Sequence, residues 1–179
     1  MILGPIGSGR RMLPMAPADV HASGGIGVAA RLQQLRFAAI RGDREAIKGL
    51  IPEFVALDRS HNSPFHLYNM DQHTLVLITT LLADASVNAR VSDALVVAAI
   101  LHDIGKPNTA KPSPKDATVT QYIKHDVVGA DEVAPPILDR LEISGQERDQ
   151  IIAIIRFHMR PVDLLGQLAN GQLQDKTIS

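Results

Sequence analysis

The chain is 179 residues long, 45% hydrophobic and 21% charged, with a formal net charge of -1. That balance accommodates a single domain with a substantial core and excludes a global basic field for holding extended nucleic acid. With no cysteine there are neither disulfides nor thiolate metal sites, so His, Asp and Glu are the metal ligands available, as expected of a cytoplasmic protein.

No run of about 18 consecutive apolar residues occurs, so no membrane span is expected. Aromatic residues make up 3% of the chain and tryptophan is absent. The core is then built from Leu, Ile, Val and Ala, which favours an all-α fold. Residues 1–28 are rich in Gly, Pro, Ala and Met without a sustained period and are expected to form a flexible leader. Their glycines make no phosphate loop, because no strand precedes them and the Gly-Lys-Ser/Thr ending is missing.

Residues 29–179 are expected to form one helical domain of about six to seven helices. A short amphipathic helix is predicted from Ala29 to Ile40, and a second from about Arg44 to Leu57 with Pro52 kinking or dividing it. Residues 60–69, polar and interrupted by Pro64, form an expected structured loop of the kind that lines sites. A third helix covers about Met70 to Ala85, and its spacing sets His73 on one stripe with Leu77 and Leu81. The fourth is the apolar run Ala94 to Leu101, with Ser92 as N-cap and Asp93 in its first turn. It ends in His102 and Asp103 and is stopped by Gly105 and Pro107.

Residues 106–118 hold three prolines and three lysines with no hydrophobic period, which predicts a long exposed loop. A fifth helix, about Tyr122 to Asp139, aligns His125 with Val128, Gly129 and Val133. Gly129 lets another element approach closely, and Pro135-Pro136 are expected to break this helix. Ser144 and Glu147 have the spacing of a capping box ahead of the run Ile151 to Ile155. His158 follows on the same stripe, Pro161 closes the helix, and residues 162–170 add a further turn or two. Nothing alternates with period two for long, so no sizeable sheet is expected.

The chain contains seven histidines, of which His73, His102, His125 and His158 fall on four different predicted helices. One such residue alone is ordinarily a hydrogen-bonded core histidine. Four of them, with Asp103 adjacent, repeat the cost of burying a polar group unless they share a partner. Helical bundles build metal sites in this way, from side chains converging off facing helices.

This ordered set, with Leu101-His-Asp-Ile-Gly-Lys-Pro107, His125 followed by Gly129-Ala130, and Ile155-Arg-Phe-His158-Met-Arg-Pro161, resembles the HD-domain metal-dependent phosphohydrolase superfamily. Within it, the segment from Phe65-His66 to His73-Thr74-Leu75 and the segment Phe157 to Pro161 are most similar to the HD region of bacterial CCA-adding tRNA nucleotidyltransferases. The likeness spans about residues 60 to 162. No paired-carboxylate motif of a nucleotidyltransferase head precedes it, so tRNA tailing is not expected and tRNA is an unsupported partner.

The resemblance implies an HD-type helical bundle and one or two divalent metal ions, with Mn, Fe, Co, Ni, Mg and Zn all admissible for His and Asp ligands. It implies that His73, His102 and Asp103 hold one metal, that Asp103 bridges, and that His125 and His158 hold a second or bind the phosphate. The implied activity is hydrolysis of a phosphate ester by a metal-activated water, as a phosphomonoesterase or cyclic-nucleotide phosphodiesterase. Asp103 and Lys106 are the implied catalytic residues, and His66, Lys106, Arg156 and Arg160 the candidates for substrate contact. The late aspartate ligand of such domains has Asp163 as its early candidate and Asp175 in a polar tail, so the domain is either short at its C-terminal end or has one ligand replaced. The alternative is a non-catalytic HD module that binds metal and a nucleotide or RNA end. The expected partner is a small nucleotide or phosphate ester, with homo-oligomerisation left open.

Overall fold

The computed structural model describes residues 27–58 and 68–170. Residues 1–26 of the expected leader, the loop residues His61 and His66, and Asp175 lie outside the described residues, and the leader's expected last residues are instead the N-cap Gly27 and the first helical residue, Val28. The chain forms α1 (Val28–Ile40), α2 (Arg44–Leu50), a 3-10 segment (Pro52–Leu57), α3 (Met70–Ala83) and a short α4 (Ala85–Asn88). Next come α5 (Asp93–Leu101), α6 (Lys106–Thr109), the two-residue strands β1 (Lys111–Pro112) and β2 (Thr120–Gln121), and α7 (His125–Val128). A π-helical segment (Gly129–Val133), α8 (Ala134–Arg140), α9 (Gly145–Phe157) and α10 (Arg160–Ala169) follow. The architecture is the expected helical bundle, with a minor antiparallel hairpin that pairs Lys111 with Gln121 and Pro112 with Thr120.

The bundle is built around α5, as its composition requires. A helix that is apolar all round has to be covered on every side. Val96 to Leu101 are buried without interruption, and α1, α3 and α9 pack against them. Ser92 Oγ accepts from the Leu95 amide at 3.2 Å and fixes where α5 starts. Arg36 of α1 ties down the approach to that start, donating to the Val91 carbonyl at 2.7 Å and to Asp93 Oδ1 at 2.9 Å. At the other face Asp71, wholly buried at the start of α3, pairs with Arg44 of α2 and sets the position of the turn that carries His73.

Several boundaries differ from those expected, each for a local reason. Pro52 divides the second helix, as predicted. Pro107 and Pro161, expected to stop helices, instead occupy the first turns of α6 and α10, where a missing amide proton has no intrahelical acceptor to lose. The loop expected at 106–118 therefore begins with a helical turn and closes as a hairpin. Pro135 and Pro136 likewise start α8, and the irregularity lies just before them, in the π-helical turn at Gly129–Val133. Ser144 precedes α9 but makes no side-chain cap bond, because the chain enters the helix through Gly145 at φ 59 rather than in a capping-box geometry.

Gly129 does permit the close approach its sequence position predicts. The backbone of Gly105, at the turn beyond α5, crosses the backbone at Gly129, and a Cβ on Gly105 would fall on the His125 carbonyl oxygen and the Gly129 amide, 2.9 Å from the Gly129 Cα. Backbone atoms cannot give way as a side-chain tip can. Gly105→Ala is predicted to lower the urea-unfolding stability by about 2–3 kcal/mol or to prevent folding. Gly49→Ala in α2, where the new methyl meets nothing within 4 Å, should leave stability unchanged or raise it by about 0.5–1 kcal/mol.

Candidate metal centre

His102 and Asp103 continue from the end of α5 into a tight turn held by Ile104 N to Leu101 O at 3.0 Å and Lys106 N to Asp103 O at 2.9 Å. The turn buries both side chains and the Lys106 ammonium. Asp103 is the hub. Its Oδ2 lies 2.6 Å from Lys106 Nζ and 3.2 Å from His102 Nε2. Its Oδ1 lies 3.2 Å from His125 Nε2 and 3.7 Å from His158 Nε2. The crossing of Gly105 and Gly129 is what brings the first turn of α7, and hence His125, against this carboxylate.

Three of the imidazoles are aimed in the same manner. His102 Nδ1 donates to Ala99 O at 2.8 Å, His125 Nδ1 to Tyr122 O at 2.7 Å and His158 Nδ1 to Ile155 O at 2.7 Å. A carbonyl can only accept, so in each ring Nδ1 carries the proton and the Nε2 lone pair faces Asp103. The consequence is an unbalanced cluster. His125 Nε2 and His158 Nε2 are 3.1 Å apart, and both face a carboxylate oxygen. Without a cation or a bound proton among them, these acceptors repel.

His73, from the first turns of α3, closes the other side, its ring centroid 5.6 Å from that of His102. It is less buried than His102, Asp103 and His125. The helical stripe predicted from Leu77 is not the packed one, since Leu77 is exposed while Thr74, Leu75 and Ile78 face the core. His73 points instead into the cleft. Two three-ligand sets result, His73-His102-Asp103 and Asp103-His125-His158, with Asp103 common to both and the ligand atoms of each set within 4.8 Å of one another.

The donor chemistry fits a divalent cation. Ligand bonds of about 2.1 Å in octahedral or tetrahedral arrangement separate neighbouring ligand atoms by about 3.0–3.4 Å. Of the separations among His125 Nε2, Asp103 Oδ1 and His158 Nε2, those of 3.1 and 3.2 Å fall in that range and the third, 3.7 Å, is slightly wider. Backbone carbonyls on the three Nδ1 atoms supply the outer support that orients metal-binding imidazoles.

These residues line an open cleft of about 560 Å³, whose remaining wall comes from Thr120 to Ile123 and from Met159 and Val162. A scan of family models matches the HD domain over residues 73–175, more than half of the chain. The chain belongs to the HD-domain family. Searches of curated proteins and of solved structures return no match. The family is one of metal-dependent phosphohydrolases, and the matched segment contains the His102-Asp103 pair.

The other expected site residues are placed as follows. Lys106 lines the cleft, engaged with Asp103 and 5.7 Å from the centre of the Tyr122 ring. Arg156 lies outside it, its guanidinium paired with Asp131. Arg160 is exposed at the start of α10 and does not line the cleft. Asp163, also exposed, belongs to neither ligand set and borders a neighbouring groove. Sequence reasoning did not find the wall formed by Gln121, Tyr122 and Ile123, for which the only signal was a two-residue strand beside a proline-rich turn.

Burial alone would raise the Asp103 carboxyl, but His102, His125 and His158, which donate to it whenever Nε2 takes up a proton, outweigh burial and hold the group well below the usual carboxylate range. Burial alone would lower the His158 imidazolium; the Asp103 carboxylate and the Ile155 carbonyl outweigh that and raise it above its ordinary 6.5. In the metal-free protein a proton on His158 Nε2 thus supplies part of the missing positive charge. Because this value is raised on folding, its stabilisation is complete below pH 6.5 and disappears as pH climbs through the folded-state value. The melting temperature of chelator-treated protein is therefore predicted to fall over that rise, while divalent-metal affinity increases because the cation displaces the same proton. His158→Gln should flatten both profiles.

Proposed function

We propose that this HD domain hydrolyses a phosphate ester of a nucleotide or related small molecule, as a phosphomonoesterase or a cyclic-nucleotide phosphodiesterase. One observation carries the reading: three acceptor atoms, Asp103 Oδ1, His125 Nε2 and His158 Nε2, converge within 3.7 Å at the floor of an open cleft. A divalent ion held by His73, His102, Asp103, His125 and His158 would acidify a water and neutralise charge developing on phosphoryl oxygens.

The chain's own residues then have distinct tasks. Asp103 shares its two oxygens between the two ligand sets and holds them at a fixed spacing. The carbonyls of Ala99, Tyr122 and Ile155 keep the three Nε2 lone pairs turned inward. Lys106, already inside the cleft and buried to 7% exposure, is the ammonium available to a phosphate oxygen. Tyr122 and Met159 give the cleft an apolar wall that limits water around the reacting group.

A second reading, an HD module that binds without turnover, draws support from Asp163: among the described residues no late carboxylate joins either ligand set. The likeness of residues 157–161 to the HD region of CCA-adding tRNA nucleotidyltransferases makes an RNA end a candidate ligand under that reading. Assays of p-nitrophenyl phosphate, bis-p-nitrophenyl phosphate and cyclic nucleotides with Mn, Co, Ni, Fe, Mg or Zn separate the two. Hydrolysis is expected with at least one of these metals, and Asp103→Asn should lower it at least about a hundredfold, the scale of several kcal/mol of charge stabilisation. Metal-loaded protein that turns over none of them selects the binding module.

A further inference from the structure

Two smaller hollows adjoin the cleft, and they differ in charge. One, of about 470 Å³, lies on the far side of the wall formed by β2, so that Gln121 and Ile123 line both it and the cleft; Lys111 and Lys124 are among its other lining residues, with Asn108 and Thr109. The other, of about 350 Å³, shares Tyr122, Ile123, His125 and Met159 with the cleft but is bordered by Asp126 and Asp163 beside Lys124. A ligand anchored by a phosphoryl group at the His-Asp cluster extends past Ile123, an apolar side chain 70% exposed. From that ledge, an anionic tail meets two ammonium groups and no carboxylate on one side, and two carboxylates with one ammonium on the other. Like charge repels and opposite charge attracts, so the first hollow is the favoured one.

The local sequence and hydrogen bonding agree. Residues 106–124 contain four lysines and one acid, in a chain whose net charge is -1. That acid, Asp116, is occupied by the Thr118 amide and hydroxyl. Among the described residues neither Lys111 nor Lys124 forms an ion pair. The hairpin that presents Lys111 is a built element: Lys111 pairs with Gln121, and Gln121 Nε2 donates to the buried Ser113 hydroxyl at 3.0 Å.

We propose that the hollow between Lys111 and Lys124 is a second phosphate site. The substrate is then a compound carrying two phosphate groups joined by an organic linker, the first at the His-Asp cluster, the linker over Ile123 and the second between the two lysines. This rests on the reading of the cleft as a phosphate-ester site. Either a small bisphosphate or the end of a nucleotide chain supplies that chemistry.

The test is calorimetric binding of a nucleoside 5′-monophosphate, the matching 3′,5′-bisphosphate and a 5′-phosphorylated dinucleotide to metal-loaded protein. The bisphosphate is expected to bind about tenfold more tightly than the monophosphate, as one added charge-assisted contact provides. In a Lys111→Ala, Lys124→Asn double variant that ratio should fall to about one. Asparagine is chosen because Lys124 has φ 63, a conformation asparagine tolerates. Both lysines are exposed, and an unchanged circular dichroism spectrum checks the fold. Equal affinity of the two nucleotides for the wild type, or a ratio that survives the double variant, overturns the second site. A dinucleotide that shows the larger advantage supports it with a nucleotide chain as the source, and a larger advantage for the bisphosphate supports it with a small molecule. Each probe carries a non-hydrolysable phosphonate in place of every phosphate ester, so binding is read without turnover, and a failure to hydrolyse p-nitrophenyl phosphate counts against the proposed reaction and leaves this comparison intact.

Discussion

Asp103 stands 2% exposed at the end of the most apolar helix of the bundle, and a carboxylate in that position has to be surrounded by positive charge or proton donors. One ammonium meets part of the requirement directly, and three imidazoles meet the rest through a cation or proton shared with the carboxylate. Lys106 comes from the following turn, His102 from the same helix end, His125 from α7 and His158 from the end of α9. Each imidazole is locked by a backbone carbonyl three residues earlier, so the cluster is assembled from helix ends rather than from flexible loops. This gives the donor atoms fixed directions before any cation binds, and preorganisation of this kind is what a metal site needs.

The apolar frame and the polar centre constrain one another. α5 reaches the cluster only because α1, α3 and α9 cover it along its length, and α7 comes close enough only because Gly105 and Gly129 have no side chains at their crossing. The π-helical turn at Gly129–Val133 follows α7, the single helical turn that carries His125, so the irregular backbone begins one turn beyond that side chain. Irregular turns inside helices often mark such places, where a regular helix would carry the side chain past its target. Prolines 135 and 136 follow it in the first turn of α8, where they do least harm.

Much of this was legible in the sequence. The run Ala94 to Leu101 could only be a buried helix, Ser92 marked its start, and four histidines on separate helices with one aspartate pointed to a shared partner. Gly129 was legible for its close approach because a glycine one helical turn after His125, on the same face, leaves room for a neighbouring element. What was hidden depended on side-chain packing across the chain. His73 faces the cleft for a reason its helical periodicity misstated, since Leu77 is exposed and α3 packs through Thr74, Leu75 and Ile78. The pairing of Arg156 with Asp131 joins residues 25 apart in sequence and follows no local pattern. The wall from Gln121 to Ile123 was hidden because two-residue strands are too short to show a period of two, and proline was weighed as a helix stop where it serves as a helix start.

The account stands on a cation bound among Asp103, His125 and His158. Anomalous diffraction from a crystal grown with Mn²⁺, recorded on both sides of the manganese absorption edge, tests this directly. The account predicts a manganese peak within coordination distance, about 2.0–2.3 Å, of Asp103 Oδ1, His125 Nε2 and His158 Nε2. Occupied crystals with manganese bound elsewhere and none at this cluster, or a cluster closed by hydrogen bonds alone at saturating metal, would contradict it.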